Sequence, residues 1–146
     1  MRVTEMLRHK GDEVVTTTSR ASVRDLLALL AEHRIGAVVV SDDGVHVDGI
    51  VSERDVVRRL HAEGDGVLDE PVSRIMTVDV HGCAPETPLD DLMVAMTERR
   101  IRHVPVLHDG RLVGIVSIGD VVKRRMAEVQ AERDQLTDYI TGGRMP

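Results

Sequence analysis

Apolar positions along the chain alternate between a spacing of three to four and unbroken β-branched runs, and the alternation divides it into elements. Met1 to Lys10 is polar with scattered Val, Met and Leu, and predicts a short lead-in helix or arm. Glu13 to Thr18 (EVVTTT) predicts a strand. Ser22 to Arg34 carries Val23, Leu26, Leu27, Leu29 and Leu30 on one helical face, with Ser22 as its N-cap. Ile35 to Val40 (IGAVVV) is an apolar strand, Asp42-Asp43-Gly44 a turn, and Val45 to Val51 the returning strand of a hairpin. Ser52 opens a helix that ends near Glu63-Gly64. The unit reads strand, helix, strand, strand, helix.

Gly64 to Val72 is a polar joint, after which the order repeats. Val78 to Cys83 predicts a strand and Thr87 to Arg100 a helix with Leu89, Leu92, Met93 and Met96 inward. Ile101 to Leu107 and Leu112 to Val116 flank an Asp109-Gly110 turn, and Ser117 opens a long last helix running to about Tyr139. Val23 matches Leu89, Leu26 matches Leu92 and Ile35 matches Ile101, 66 positions on; past the hairpin the offset is 65. A one-residue shift confined to a turn is what a duplicated unit tolerates. A three-stranded sheet with helices on one face leaves its other face apolar, so the expected fold class is α+β, two repeats packed sheet to sheet. On the last helix Val122, Met126, Val129, Leu136 and Ile140 form a stripe interrupted by Arg133; it reads either as packing on its own domain or as a seam against a second subunit, and its continuation past the point where the first repeat's helix ends favours the second.

Composition narrows the function classes. The 146 residues are 42% hydrophobic but contain one Tyr, no Phe and no Trp, so the core is aliphatic and stacking platforms for single-stranded nucleic acid are missing. A net charge of -6 argues against a general polyanion binder. Arg99-Arg100, Arg102-His103 and Lys123-Arg124-Arg125 are nonetheless local basic clusters suited to one or two phosphates. A single Cys, Cys83, fits a reducing compartment. The polar start lacks the apolar core of a secretory leader, and no apolar run approaches the ~20 residues of a membrane span, so the expectation is a cytoplasmic protein with no membrane contact. The seven His make no metal-ligand pattern, and no nucleophile–base arrangement, Walker loop or GxGxxG is present.

One phrase recurs. Gly49-Ile50-Val51-Ser52-Glu53-Arg54-Asp55-Val56-Val57 returns as Gly114-Ile115-Val116-Ser117-Ile118-Gly119-Asp120-Val121-Val122, identical at seven of nine positions. Its Ser-x-x-Asp core has the spacing of a capping box. Ser22-x-x-Asp25 and Thr87-x-x-Asp90 share that spacing without the preceding Gly-Ile-Val, and read as plain caps. Glu53 and Arg54 read as solvated, and Arg99-Arg100 as complementing a helix dipole.

Gly-Ile-Val-Ser-x-x-Asp after a Val-rich strand and an Asp-Gly turn, occurring twice, resembles the CBS domain. From about Met6 to Arg125 the chain resembles one tandem CBS pair: repeat 1 over residues 6–64, repeat 2 over 72–125, and a helical extension and tail over 126–146. Arg99-Arg100-Ile101-Arg102-His103-Val104-Pro105-Val106 and the closing Tyr139-Ile140-x-Gly142 are similar to stand-alone CBS-pair proteins, a group sometimes labelled as related to inosine monophosphate dehydrogenase.

The resemblance implies a non-enzymatic sensor with adenosine nucleotides in two clefts. It implies that the Asp accepts from the ribose hydroxyls, to which a carboxylate offers acceptors only. It implies that strand residues sandwich the adenine and that basic groups and a helix N-terminus hold the phosphate. One cleft would use Ile101, Arg102, His103, Ile115, Ser117, Asp120 and Lys123, covered by the strand holding Lys10, Val14 and Thr16. The other would use Ile35, Gly36, Ala37, Ile50, Ser52, Asp55 and Arg58, covered by Thr77, Val78 and Val80. Because Gly36-Ala37 stands where the second repeat has Arg102-His103, the Asp120 cleft is expected to suit AMP, and the Asp55 cleft a larger or less charged ligand such as NAD(H), or none. A homodimer acting on a separate regulated protein is the implied assembly. The competing reading is an interaction module whose two motifs only cap helices.

Overall fold

The computed structural model describes residues 1–11 and 13–142. Five helices and two small sheets follow one another as α1 (Val3–Lys10), β1 (Thr16–Thr17), α2 (Val23–His33), β2 (Ala37–Val40), β3 (Gly49–Ser52), α3 (Glu53–Glu63), α4 (Leu89–Arg99), β4 (His103–His108), β5 (Arg111–Ser117) and α5 (Ile118–Gly142), with two 3-10 turns at Asp65–Asp69 and Val72–Arg74 between α3 and α4. The fold is α+β, as the alternating periods predict. β1 runs parallel to β2, and the β2–β3 and β4–β5 pairs are antiparallel.

Each repeat buries its own aliphatic core, and each borrows part of it from outside. Val23, Leu26 and Leu30 of α2 pack on Val38, Val40 and Val51, joined by Val67, Val72 and Ile75 from the stretch between the repeats. Leu89, Leu92 and Met96 of α4 pack on Val104, Val106 and Val116, joined by Val3 and Met6 of α1. The exchange follows the duplication: Val72 donates its N–H to Ala21 (2.7 Å) where Val3 donates to Thr87 (3.0 Å). Helix α1 therefore lies on the second repeat, and this carries Lys10 to the second motif.

Three strands are much shorter than the pattern predicts, and that expected from Ile35 begins at Ala37. The strand expected over Glu13 to Thr18 is only Thr16–Thr17; past its end Ser19 turns away with its N–H and hydroxyl both bonded to the Asp42 carboxylate at 2.8 Å. The strand expected from Val45 starts at Gly49, because Asp43 Oδ1 accepts the N–H groups of Val45 and His46 at 2.8 Å, taking donors a ladder would use. The strand expected over Val78 to Cys83 is reduced to single bridges, Thr77 with Ile50 and Cys83 with Val106. Extending the Cys83 bridge either way requires an N–H from residue 85 or 105, and both are Pro.

Candidate functional site

The repeated phrase builds the same local structure twice. Val51 and Val116 are fully buried, fixing their strands, and alternation then turns Ile50 with Ser52, and Ile115 with Ser117, to the opposite face. The helix that follows is tied to the start of the previous strand: Glu53 donates to the Gly36 carbonyl (2.9 Å) and Ile118 to that of Arg102 (2.8 Å). Asp55 accepts from the Ser52 N–H (2.8 Å) and hydroxyl (3.0 Å) on Oδ2, and the Ser52 hydroxyl accepts from the Asp55 N–H. Asp120 accepts from the Ser117 N–H at 2.9 Å, and Ser117 Oγ accepts from the Asp120 N–H at 3.1 Å. Capping is thus real in both copies. The plain caps divide: Ser22 accepts from the Asp25 N–H, but α4 is preceded by Pro88 with no side-chain cap. Thr87 instead accepts from Ala84 N–H, since the 66-residue offset sets Pro88, not Thr87, opposite Ser22.

A cavity of about 710 Å³ opens over Ser52 and Asp55. Gly36, Ala37, Ile50, Arg58, Thr77 and Val80, all expected there, line it. Ile101, Arg102 and His103, expected in the other cleft alone, line it too. His103 stands against Gly36, where a Cβ would lie 3.7 Å from its Cε1, an ordinary contact. That overturns the expected inequality. The Asp55 cleft is not the charge-poor one; Arg54, Arg58, Arg99, Arg100 and Arg102 all border it. Arg54, read as solvated, and Arg99-Arg100, read as a dipole complement, are the residues sequence reasoning under-used. The basic run from Arg99 to His103 is the signal that pointed to them. Ile35 borders a smaller cavity of about 430 Å³ that shares Gly36 and Glu53. Val78 is 69% exposed and lines neither.

The second copy is paired with a cation. Lys10 Nζ donates to Asp120 Oδ2 (2.6 Å) and to the Ile115 carbonyl (2.7 Å). Burial alone would raise the Asp120 pKa, but the bonds from Lys10 and Ser117 outweigh it and hold the carboxyl below the usual range. Lys123 is exposed and is not the partner of Asp120; Val14 and Thr16 are half-buried on the approach to β1 and in it. Burial, and then the Lys10 charge, lower the pKa of His103, which keeps the imidazole neutral at pH 7. Asp55 has no such cation: among the described residues Oδ1 accepts no hydrogen bond. Chemically, one copy offers a carboxylate with no cation bonded to it in a cavity bordered by five guanidinium groups, and the other a carboxylate whose Oδ2 already takes an ammonium; among the described residues Oδ1 accepts no hydrogen bond in either copy. Cys83 is half-buried, and burial pushes its thiol up to about 11, so it is an unreactive packing residue. Among the described residues no helix is long and apolar enough to cross a membrane.

Comparison with known proteins bears on this arrangement. The CBS domain family matches residues 4–62 and 72–127. A mitochondrial CBS domain-containing protein of Arabidopsis thaliana is 34% identical over 97% of this chain and 72% of its own length. A crystal structure of a CBS-domain containing protein from Agrobacterium tumefaciens is 47% identical, covers 86% of this chain and 99% of its own, and superposes with a TM-score of 0.82. A CBS domain protein from Pyrobaculum aerophilum, solved in complex with AMP, is 30% identical over 82% of this chain and 89% of its own, with a TM-score of 0.73. None of these three names refers to inosine monophosphate dehydrogenase.

Proposed function

The chain belongs to the CBS-domain family, and from that premise we propose that it is a non-enzymatic regulator that binds an adenosine nucleotide over Asp55. The observation that carries the reading is that one cavity of about 710 Å³, within the range of small-molecule pockets, gathers Ser52, Asp55, Arg102 and His103. Asp55 Oδ1 takes the ribose hydroxyls. Ala37, Ile50, Thr77 and Val80 enclose the base against the backbone at Gly36. Arg58 and Arg102 hold the phosphate beside the first turn of α3. AMP is the first ligand to test, because a related CBS protein was solved with it. Five arginines are more than one monophosphate needs, which favours NAD(H) or ATP as a second ligand. The Asp120 cleft, with Lys10, Val14, Thr16, Ile115, Ser117 and Lys123, is a second site that opens only when Lys10 leaves Asp120.

The signal passes to a separate regulated protein through a homodimer. Val57 of α3 and Val122 of α5, equivalent positions of the two repeats, are 64% and 49% exposed, an apolar surface that a second copy covers. Ligand binding shifts this assembly only by as much as it binds one arrangement better than another.

Thermal unfolding with AMP, ATP, NAD(H) and S-adenosylmethionine tests the reading. At 100 times Kd a ligand stabilises the fold by about 2.7 kcal/mol, which a melting curve resolves. A shift with at least one of them is expected. No shift with any returns the protein to the interaction-module reading, in which both motifs only cap helices.

A further inference from the structure

Helix α5 outruns the body it belongs to. Val121 is fully buried and Arg124 touches Met1 Sδ at 3.2 Å, but from Val129 to Gly142 every residue is exposed. At 1.5 Å per residue roughly 21 Å of helix stands clear of the fold. A helix of that length alone in water is marginal, and this one is not polar all round. Met126 is 68% exposed, Leu136 61% and Ile140 53%. The CBS family match ends at residue 127, so most of this surface lies outside it.

The exposed apolar positions have a register. Val122, Met126, Val129, Arg133, Leu136 and Ile140 are spaced four, three, four, three and four, the a/d seam of a coiled coil with one charged member. The spacing reads the same from either end. A second α5 laid antiparallel therefore fills every layer at once: Val122 against the partner's Ile140, Met126 against the partner's Leu136, Val129 against the partner's Arg133. A parallel copy would instead set Arg133 against itself inside the seam. In the antiparallel pair the Arg133 stem covers Val129, and its guanidinium meets the Glu132 carboxylates at the midpoint.

We propose that α5, from Val122 to Ile140, is an antiparallel coiled-coil clasp onto a second copy of this chain, centred near residue 131. This deepens the homodimer reading above by naming the surface and its orientation.

The test uses the full chain with Cys83→Ser as background. Residues 122 and 140 of one helix are about 27 Å apart, whereas a disulfide needs Cα atoms within about 7 Å, so any 122–140 link joins two copies. V122C/I140C is expected to give a disulfide-linked dimer on mild oxidation, and V122C or I140C alone is not. Ready linking by I140C alone, or none by the double variant, overturns the antiparallel clasp. Leu136→Asp on the double variant, at an exposed position that folding does not need, is expected to remove the link and weaken the dimer at least tenfold by sedimentation. Ala131→Asp, on the outer face, is expected to do neither. If Leu136→Asp changes nothing, the clasp is wrong and the homodimer stands on another surface; if the unmodified chain sediments as a monomer, both fail.

Discussion

At Ser52 and at Ser117 the backbone does the same thing: a strand ends, a hydroxyl accepts an N–H, and an Asp three residues on reaches back. What differs comes from elsewhere in the chain. Over Asp55 the opposing repeat supplies Arg99, Arg100, Arg102 and His103, and the cavity is open. Over Asp120 the N-terminal helix supplies Lys10, and the carboxylate is paired. The motif fixes an acceptor and a helix N-terminus; the neighbour that crosses over decides whether a ligand can use them.

The widest separation of the copies is expected in ligand binding. Asp55→Asn removes charge-assisted bonds to the ribose, each worth about 1.5–3 kcal/mol, and should weaken nucleotide binding roughly 10- to 100-fold. Asp120→Asn, whose carboxylate is held by Lys10, should leave the affinity of the first site within about twofold. Titration calorimetry on both variants checks this. Equal losses would mean that the copies bind alike and that the Lys10 contact yields to ligand.

The two glycines that open the phrase separate the copies next. A Cβ on Gly49 would lie 2.9 Å from the Thr77 carbonyl oxygen and 2.9 Å from Met76 Sδ. A Cβ on Gly114 would meet only the end of Leu7, at 2.8 Å. Backbone cannot step aside and a leucine tip can, so Gly49→Ala should cost about 1–3 kcal/mol and Gly114→Ala less than about 1 kcal/mol. Urea unfolding decides it, and a larger cost at Gly114 would show that α1 is packed too tightly for Leu7 to move.

These contrasts explain what was legible in advance. Helix faces such as Val23–Leu26–Leu30 and the hairpin strands follow from period alone, because each element buries its own residues. The two Ser-x-x-Asp elements are local and were readable for the same reason. Which cleft receives Arg102 and His103 was not, since the repeat they belong to in sequence does not say which carboxylate they face. Nor did the pattern show that Asp43 would consume the N–H groups expected of a strand, or that Pro85 and Pro105 would cut the Cys83 ladder to one bridge. Those depend on which side of an edge each N–H falls.

Lys10 is the cheapest place to make the copies alike. Its pair with Asp120 is partly exposed, 31% and 25%, so Lys10→Met should lower stability by no more than about 1 kcal/mol. The Asp120 pKa is depressed in the fold, so this contribution is present above the ordinary value of 3.8 and disappears as pH falls through the lower folded value. Wild type and Lys10→Met should therefore converge in acid. Lys10→Met should also raise nucleotide stoichiometry from one towards two per chain; an unchanged single site would show that Lys10 is not what closes the second cleft.

The smallest effect is protonic, and it separates the clefts by where the phosphate sits. Burial and Lys10 keep His103 neutral in the free protein, with its pKa below the ordinary 6.5. The unfolded chain therefore binds the extra proton first, and His103 should make the fold less stable as pH falls from about 6.5 to its folded value, below which its effect is constant. A phosphate placed between Arg102 and His103 reverses the second half of that balance. It raises the His103 pKa, so binding takes up a proton and affinity should climb by less than about tenfold between pH 7 and pH 6. Calorimetry at pH 6.5 in two buffers of different ionisation enthalpy measures the uptake directly, and His103→Gln should abolish it while leaving Asp55 and the guanidinium groups in place. Proton uptake that survives His103→Gln would move the phosphate away from His103.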